Sequence, residues 1–210
     1  MRPRIDRCDG VIVVLRAPDA SRFADVSAVL ADAGITRLEF TLTTRGALDA
    51  ITAAKQAMPH VEIGCGTARA PEDLGRANDA GADFVVSQYR DPALSAAARA
   101  LGVDYVPGAL TPGEVARAAA ESPLVKVSPI GPVGGAAYLR ELAGPMPDVG
   151  LFPTGGVRPE EVGAYFDAGA SLVGVSALLL HDALLGGDLR ALGDRTRDLL
   201  GRLRDGEPGT

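Results

Sequence analysis

The stretch VGLFPTGGVRPEEVGAYFDAG, residues 149–169, contains one complete unit of the pattern that runs through this chain. It opens with a short apolar run, which predicts a buried strand. Gly155 and Gly156 follow and predict a turn. Pro159 is typical of a helix start, and Gly169 is typical of a helix end. The stretch therefore predicts a strand, a glycine turn and a helix, which together make one βα unit.

Apolar runs and helical segments alternate in the same way along the rest of the sequence. The runs that predict strands are 11–15, 37–42, 61–65, 83–87, 103–107, 124–128, 149–153 and 171–176. The segments that predict helices are 19–33, 46–57, 70–80, 91–101, 112–120, 135–142, 159–168 and 188–204. The strand runs are almost continuously apolar, which indicates a parallel sheet covered by helices on both faces.

Eight βα units within 210 residues predict an α/β fold, namely a closed (β/α)8 TIM barrel of near-minimal size. No linker divides the chain, so we expect a single barrel domain over residues 1–210. A doubly wound open sheet is the alternative. It is disfavoured because the GxGxxG pattern of dinucleotide-binding sheets does not follow the first strand.

Composition excludes several classes of protein. The net charge is −6 and the basic residues are scattered, which argues against a nucleic-acid partner. No apolar run approaches the roughly 18 to 20 residues that cross a bilayer, and the run after the charged N-terminus is short for a signal peptide. We therefore expect a cytoplasmic protein with no membrane partner. Two cysteines and two histidines, far apart, show no metal-ligand spacing, so neither a metal nor another cofactor is expected.

One lysine stands inside an apolar strand run. The chain has 19 arginines but only two lysines, Lys55 and Lys126. Lys55 lies in an ordinary helical surface stretch, whereas Lys126 lies within LVKVSP, residues 124–129. A buried amine loses hydration free energy unless it is paired or gives up its proton. Because the neutral amine is the form that attacks carbonyl carbon, Lys126 points to amine chemistry.

Glu39 is a carboxylate within the second apolar run, RLEFTL. Catalytic groups in barrels of this kind gather at the C-terminal ends of the strands, so we expect Glu39 and Lys126 to face each other there. A buried carboxylate suits general acid–base catalysis. One amine and one carboxylate are the minimum for Schiff-base chemistry. From these two residues alone, a structural ion pair remains the alternative.

The last two strand ends indicate an anion site. Gly155 and Gly156 follow the seventh run, and Ser176 ends the eighth. Backbone N–H groups at such glycines can approach an anion, and these two loops form the usual phosphate site of the barrel. Arg16, at the end of the first run, is either a second anion contact or a solvated arginine.

The ordered set of motifs resembles the short class I aldolases that cleave 2-keto-3-deoxy-6-phosphogluconate (KDPG) or 4-hydroxy-2-oxoglutarate (KHG). The resemblance covers residues 8 to 180 without large gaps. It is carried by VIVVLRA, GITRLEFTLTT, IGCGTA, VPGALTPGEV, LVKVSP and AGPMPDVGLFPTGGV. Single motifs among these are weak, but their order along the chain is specific.

The resemblance implies roles for particular residues. Lys126 is implied as the Schiff-base nucleophile and Glu39 as the acid/base. Thr67, with Arg16 or Arg45, is implied to hold the substrate carboxylate. The residues implied to hold the phosphate are Gly155, Gly156 and Ser176. The resemblance also implies a phosphorylated keto-acid substrate, no cofactor, no metal and a homotrimer.

Departures from the family pattern fall in the substrate pocket. Thr43, which we expect among the substrate-binding residues, stands where the gluconate enzymes carry an arginine, and Arg45 follows two residues later. Gln88 and Ser128 also differ from the family pattern. The galactonate and 4-hydroxy-2-oxoglutarate activities therefore remain alternatives. So do a non-catalytic barrel that binds a phosphorylated ligand and a phosphate-binding isomerase or synthase.

Overall fold

The computed structural model describes residues 7–206, and the ends of the predicted domain, 1–6 and 207–210, lie outside them. Its strands are β1 Val11–Leu15, β2 Arg37–Thr41, β3 Glu62–Ala68, β4 Phe84–Ser87, β5 Asp104–Val106, β6 Gly108–Ala109, β7 Leu124–Val127, β8 Gly150–Pro153 and β9 Val173–Val175. Its helices are α1 Phe23–Asp32, α2 Ala47–Ala57, α3 Pro71–Asp79, α4 Pro92–Leu101, α5 Pro112–Ala119, α6 Gly135–Ala143, α7 Val162–Asp167, α8 Ala177–Leu180 and α9 Leu189–Asp205. All eight predicted βα units are confirmed as strand followed by helix.

Parallel pairing joins the strands into two sheets. The six-stranded sheet has the order β5-β4-β3-β2-β1-β9, and the three-stranded sheet has the order β6-β7-β8. All the strand pairs are parallel. Neighbouring strands in both sheets are consecutive along the chain except for β1 and β9, the first and the last strand. This is the order of a sheet that curls toward closure, which disfavours the doubly wound alternative. The α/β class with a curled parallel sheet is confirmed.

The fifth predicted strand run, 103–107, ends at Pro107, and a second short strand follows directly after it. The first strand, β5, pairs with β4, and the second, β6, pairs with β7. Proline has no N–H to give to a sheet, which accounts for an interruption at this position. The Pro107 carbonyl still accepts a hydrogen bond from the N–H of Lys126 at 3.0 Å. The predicted run corresponds to β5. Strand β6 was not predicted, because two residues are too few to show a periodicity.

Side chains alternate between two apolar clusters along the strands, as the period of two requires. In β1, Val11, Val13 and Leu15 pack in the large cluster that includes the helices. Ile12 and Val14 point the other way, into a smaller interior cluster with Phe152 of β8. The same alternation decides which side of each strand a polar residue faces.

Helix ends follow the signals in the sequence. In α4 the Asp91 side chain accepts a hydrogen bond from the N–H of Ala93, and Gly102 closes the helix at φ 68°. Helix α1 begins at Phe23 and not at 19, because Asp19 forms a parallel bridge with Arg45. The short helix α8 was not predicted. Within residues 7–206, no helix combines the length and the apolar character that crossing a bilayer requires.

Candidate active site

Strand alternation turns Lys126 and Glu39 toward each other across the interior. In β7, Val125 and Val127 pack in the helix-facing cluster, so Lys126 between them points inward. In β2, Leu38 and Phe40 also pack in the helix-facing cluster, so Glu39 between them points inward. The Nζ atom of Lys126 lies 3.9 Å from Oε1 of Glu39, and the two side chains are 6% and 0% exposed. Because β2 and β7 belong to different sheets, the pair joins the two sheets across the interior.

The Glu39 carboxylate has an unusual environment. Neither of its oxygens has a hydrogen-bond partner among the described residues. The 3.9 Å separation from the Lys126 amine is longer than a hydrogen bond. A buried carboxylate held only by a charge at this distance is costly, and structural ion pairs in protein interiors are normally completed by hydrogen bonds. The arrangement leaves both groups available for reaction with a bound molecule.

Gly66 makes room for Glu39. A Cβ built on Gly66 would lie 1.9 Å from Oε1 of Glu39, closer than any side chain could tolerate. The two residues are on neighbouring strands, where Glu39 pairs with Gly64 and Thr41 with Gly66. Gly66 was not predicted as a functional residue. The available signal was a glycine within a strand run, which often marks a close approach by another group.

The end of β3 presents Thr67. The β3–β4 ladder shifts register between Gly66 and Ala68, and Thr67 has a φ of 65°. This conformation is rare for a residue with a branched Cβ and is found most often where function requires it. The Nη2 atom of Arg16 donates a hydrogen bond to Oγ1 of Thr67 at 3.1 Å. The structure thus brings together two of the residues that the resemblance placed at the substrate carboxylate.

Arg45 lies at the surface, where it pairs with Asp19. Its Nη2 atom donates to Oδ2 of Asp19 at 3.1 Å, and its side chain is 81% exposed. Hydrogen bonds from Ser21, together with the Arg45 guanidinium, lower the pKa of Asp19. Thr43 is exposed, and its Oγ1 atom donates to Oγ1 of Thr41 at 3.3 Å. The structure does not bring Arg45 to the Lys126–Glu39 pair.

The Gly155–Gly156 turn is packed against the loop that follows Lys126. Both glycines have a φ of 82°, the left-handed region that side chains rarely adopt. The N–H of Gly131 donates to the carbonyl of Gly155 at 2.9 Å. A Cβ on Gly155 would lie 3.3 Å from Oγ of Ser128. The loops after β7 and β8 therefore meet beside the end of the lysine strand.

Strand β9 carries Ser176 toward the same turn. A Cβ on Gly174 would lie 2.6 Å from Cγ2 of Thr154, which directly precedes Gly155. Glycine at 174 therefore allows β9 to approach the end of β8. The Oγ atom of Ser176 donates a hydrogen bond to the carbonyl oxygen of Val14 at 2.7 Å.

Cys65 lies beside the site in sequence but faces away from it. It is buried in the helix-facing cluster. Burial, with a smaller contribution from the charge of Glu39, raises the pKa of the Cys65 thiol to about 12. Only the thiolate is a good nucleophile, so Cys65 stays unreactive at neutral pH. The amine of Lys126, by contrast, faces the interior.

Comparison with known proteins adds an independent line of evidence. The family model "KDPG and KHG aldolase" matches residues 4–193. The 2-dehydro-3-deoxy-phosphogluconate aldolase of Pseudomonas aeruginosa is 35% identical over 74% of this chain and 70% of its own length. The KHG/KDPG aldolase of Escherichia coli K12 is 34% identical over 85% of this chain and 83% of its own length.

A solved structure is similar over the same range. The 2-keto-3-deoxy-6-phosphogluconate aldolase of Zymomonas mobilis ZM4, with 3-phosphoglycerate, superposes with a TM-score of 0.81 at 26% identity. The match covers 92% of this chain and 91% of that one. Fold and site together define an α/β protein with a buried amine–carboxylate pair beside a glycine turn. The chain belongs to the KDPG and KHG aldolase family.

Proposed function

We propose that this protein is a class I aldolase that cleaves a 2-keto-3-deoxy-6-phospho sugar acid, of the phosphogluconate type, to pyruvate and glyceraldehyde 3-phosphate. The observation that carries the proposal is the buried Lys126–Glu39 pair, whose carboxylate has no hydrogen-bond partner among the described residues. Relatives named for this activity, at 34–35% identity, support it. The reaction is a lyase reaction without an external oxidant or reductant.

Lys126 supplies the nucleophile. The lone pair of the neutral amine attacks the C2 carbonyl carbon of the substrate, and the carbonyl oxygen takes a proton to give a carbinolamine. Loss of water then gives a protonated imine between Nζ and C2. Glu39 moves the protons in these steps, directly or through a water that spans its separation from Nζ.

Cleavage uses the imine as an electron sink. Glu39 accepts the proton of the C4 hydroxyl, the C3–C4 bond breaks, and its electron pair moves through C3 to the imine nitrogen. Glyceraldehyde 3-phosphate leaves and an enamine remains on Lys126. The enamine takes a proton at C3, and hydrolysis of the resulting imine releases pyruvate and frees the amine.

The remaining proposed roles concern binding. Thr67 and Arg16, which are hydrogen-bonded to each other, hold the substrate carboxylate. Gly155, Gly156 and the backbone N–H of Ser176 hold the phosphate, and the crystal structure of the Zymomonas mobilis aldolase with 3-phosphoglycerate supports a phosphate ligand. Binding the remote phosphate positions the C3–C4 bond over the lysine. We leave Arg45 and Thr43 out of the proposed site, because the former pairs with Asp19 and the latter with Thr41.

Trapping the imine tests this function. The protein is incubated with pyruvate and sodium borohydride, and the product is analysed by intact mass and peptide mapping. We expect one reduced pyruvyl adduct, on Lys126. Lys55 is the matched control because it is the only other lysine and lies in an ion pair with Asp83. Lys55→Ala should keep the adduct and Lys126→Ala should lose it, whereas a folded protein without any adduct would refute the proposal.

Substrate identity is tested by a panel of acids. We expect the highest kcat/KM with 2-keto-3-deoxy-6-phosphogluconate. The alternatives are its galactonate epimer and 4-hydroxy-2-oxoglutarate, and the relative in E. coli is named for KHG as well as KDPG. A higher kcat/KM with either alternative would reassign the substrate and keep the mechanism.

We also propose that the two sheets close into a single (β/α)8 barrel domain. Strand β9 pairs with β1, and β5 and β6, on either side of Pro107, connect the sheets. Between β8 and β9, the N–H of Ser171 donates to the carbonyl of Leu151 at 2.8 Å. A crystal structure with β8 and β9 splayed apart would contradict closure.

Assembly and location remain predictions from the resemblance and the composition. We propose a homotrimer, which light scattering after size exclusion would measure as three chains. A monomer at micromolar concentration would contradict it. We propose a cytoplasmic location, and recovery in the membrane fraction of lysed cells would contradict that.

A further inference from the structure

The hydroxyl of Ser176 is already used within the protein. Its Oγ atom donates to the carbonyl oxygen of Val14 at 2.7 Å. A serine hydroxyl has one hydrogen, so this bond occupies the only one that the side chain can donate. A fully ionised phosphate oxygen needs a donor. The Ser176 side chain is therefore poorly placed to supply one, and only its backbone N–H is left for that purpose.

Ser128 has a hydroxyl without a hydrogen-bond partner among residues 7–206. Its backbone is held on both sides. The N–H donates to the carbonyl of Ala109 at 3.0 Å, and the carbonyl accepts from Nε2 of Gln88 at 3.4 Å. The residue is half-buried, so its position is restrained while its hydroxyl stays free to rotate.

The free hydroxyl lies at the proposed phosphate turn. A Cβ on Gly155 would lie 3.3 Å from Oγ of Ser128. Ser128 also follows Lys126 by two residues, so the two side chains share a face of the chain, about 7 Å apart along it. The hydroxyl therefore lies beside the end of the site at which the proposed phosphate would be held.

We propose that Ser128 is a specificity-determining residue whose hydroxyl donates a hydrogen bond to the substrate phosphate at the Gly155–Gly156 turn. The Ser128 hydroxyl thereby supplies the donor that the Ser176 hydroxyl cannot supply while it is bonded to Val14. It favours a phosphorylated keto-acid over the same acid without phosphate. This inference rests on the proposed function for the identity of the substrate, but the phosphate contact itself can be measured without catalysis.

Binding of inorganic phosphate is the first test. The whole protein is titrated with inorganic phosphate and followed by 31P NMR, for the unchanged chain, Ser128→Ala and Ser21→Ala. Ser21 is the matched control because it is an exposed serine outside the site. A hydrogen bond to a charged group is worth enough that Ser128→Ala should weaken phosphate binding about tenfold or more. Equal affinity in the unchanged chain and Ser128→Ala would overturn the inference.

Kinetic selectivity is the second test. The ratio of kcat/KM for 2-keto-3-deoxy-6-phosphogluconate to that for 2-keto-3-deoxygluconate should fall about tenfold in Ser128→Ala. Ser21→Ala should keep the ratio. An unchanged ratio in Ser128→Ala, or an equal loss with both substrates, would mean that the hydroxyl does not contact the phosphate.

Pyruvate carries no phosphate, so its borohydride adduct separates the two proposals. An adduct on Lys126 in Ser128→Ala, with a reduced phosphate affinity, supports both. An adduct with an unchanged phosphate affinity rejects only the role of Ser128. A folded protein that forms no adduct rejects the aldolase mechanism, and the phosphate titration then still decides whether Ser128 contacts the anion.

Discussion

Gly66 and Glu39 approach so closely that a Cβ on the glycine would lie 1.9 Å from the carboxylate oxygen. The contact is with the side chain that we propose as the acid/base, so a side chain at position 66 would occupy the space that Glu39 fills. A glycine in a strand normally weakens it. At position 66, however, the Glu39 carboxylate can occupy its position only because glycine has no side chain.

Gly66→Ala should therefore displace Glu39 and reduce turnover about 100-fold, since a shift of about 1 Å in a catalytic group has that effect. The matched control is Gly75→Ala in helix α3, where a Cβ would meet nothing within 4 Å. That variant should keep its activity and gain about 0.5–1 kcal/mol in the free energy of unfolding. Steady-state kinetics and urea denaturation measure both effects. Full activity in Gly66→Ala would show that Glu39 has another position available.

Single and double variants of Lys126 and Glu39 should differ in their effect on the free energy of unfolding. Lys126→Met leaves a buried carboxylate without its partner and should lower the free energy of unfolding by about 3–5 kcal/mol. Adding Glu39→Leu removes the remaining group, and the double variant should be at least as stable as the unchanged chain. Urea denaturation at pH 7 gives the three values. A double variant less stable than the unchanged chain would mean that the pair contributes net stability to the fold.

Substitutions of Arg16 and Arg45 should differ in their effect on pyruvate binding. Arg16 is hydrogen-bonded to Thr67, whereas Arg45 is paired with Asp19 at the surface. Arg16→Ala should raise the pyruvate concentration for half-maximal adduct formation at least about tenfold, as expected for the loss of a charged hydrogen bond. Arg45→Ala should change it less than about twofold, because exposed ion pairs contribute little. The opposite order would place the carboxylate near Arg45.

Helix α5 should lose stability in acid. Hydrogen bonds from the N–H groups of Thr111 and Leu110 lower the pKa of Glu114 from 4.5. A carboxylate with a lowered folded-state pKa contributes stability above the unfolded value, and that contribution is lost as the pH falls through the folded value. Glu114→Ala should cost about 1 kcal/mol at pH 7 and clearly less at pH 3, by urea denaturation.

Glu72→Ala is the control for that experiment. Glu72 is exposed in the first turn of α3 and makes no hydrogen bond among the described residues. Its cost should be smaller, because Glu72 makes none of the hydrogen bonds that Glu114 makes. If Glu114→Ala cost the same at both pH values, the carboxylate would not be capping the helix.

Most elements of the fold could be predicted because their signals are short-range. A buried strand or an amphipathic helix appears as a periodicity within about ten residues, and Pro159 and Gly169 mark a helix in the sequence. The predicted pairing of Lys126 with Glu39 also used only local information. Each is a charged residue flanked by apolar ones on a strand, and parallel strands end on one side of the sheet.

The features that the sequence did not predict are contacts between segments far apart along the chain. Strand β6 follows β5 after Pro107 and pairs with a different neighbour. Arg45 forms a bridge with Asp19, and helix α1 starts later because of that bridge. Two further contacts between distant segments were not predicted. Gly66 makes room for the Glu39 side chain, and the Ser176 hydroxyl donates a hydrogen bond to Val14. Each depends on which residue of another element lies opposite, and periodicity does not record it.

The sequence by itself determined the βα repeat, the buried amine and carboxylate, and the glycine turn, since each follows from side-chain chemistry and spacing along the chain. The tertiary structure alone decided which hydroxyl, guanidinium and glycine stand beside that pair. Those choices depend on distances of a few ångströms between elements far apart in sequence, which packing sets and local pattern does not.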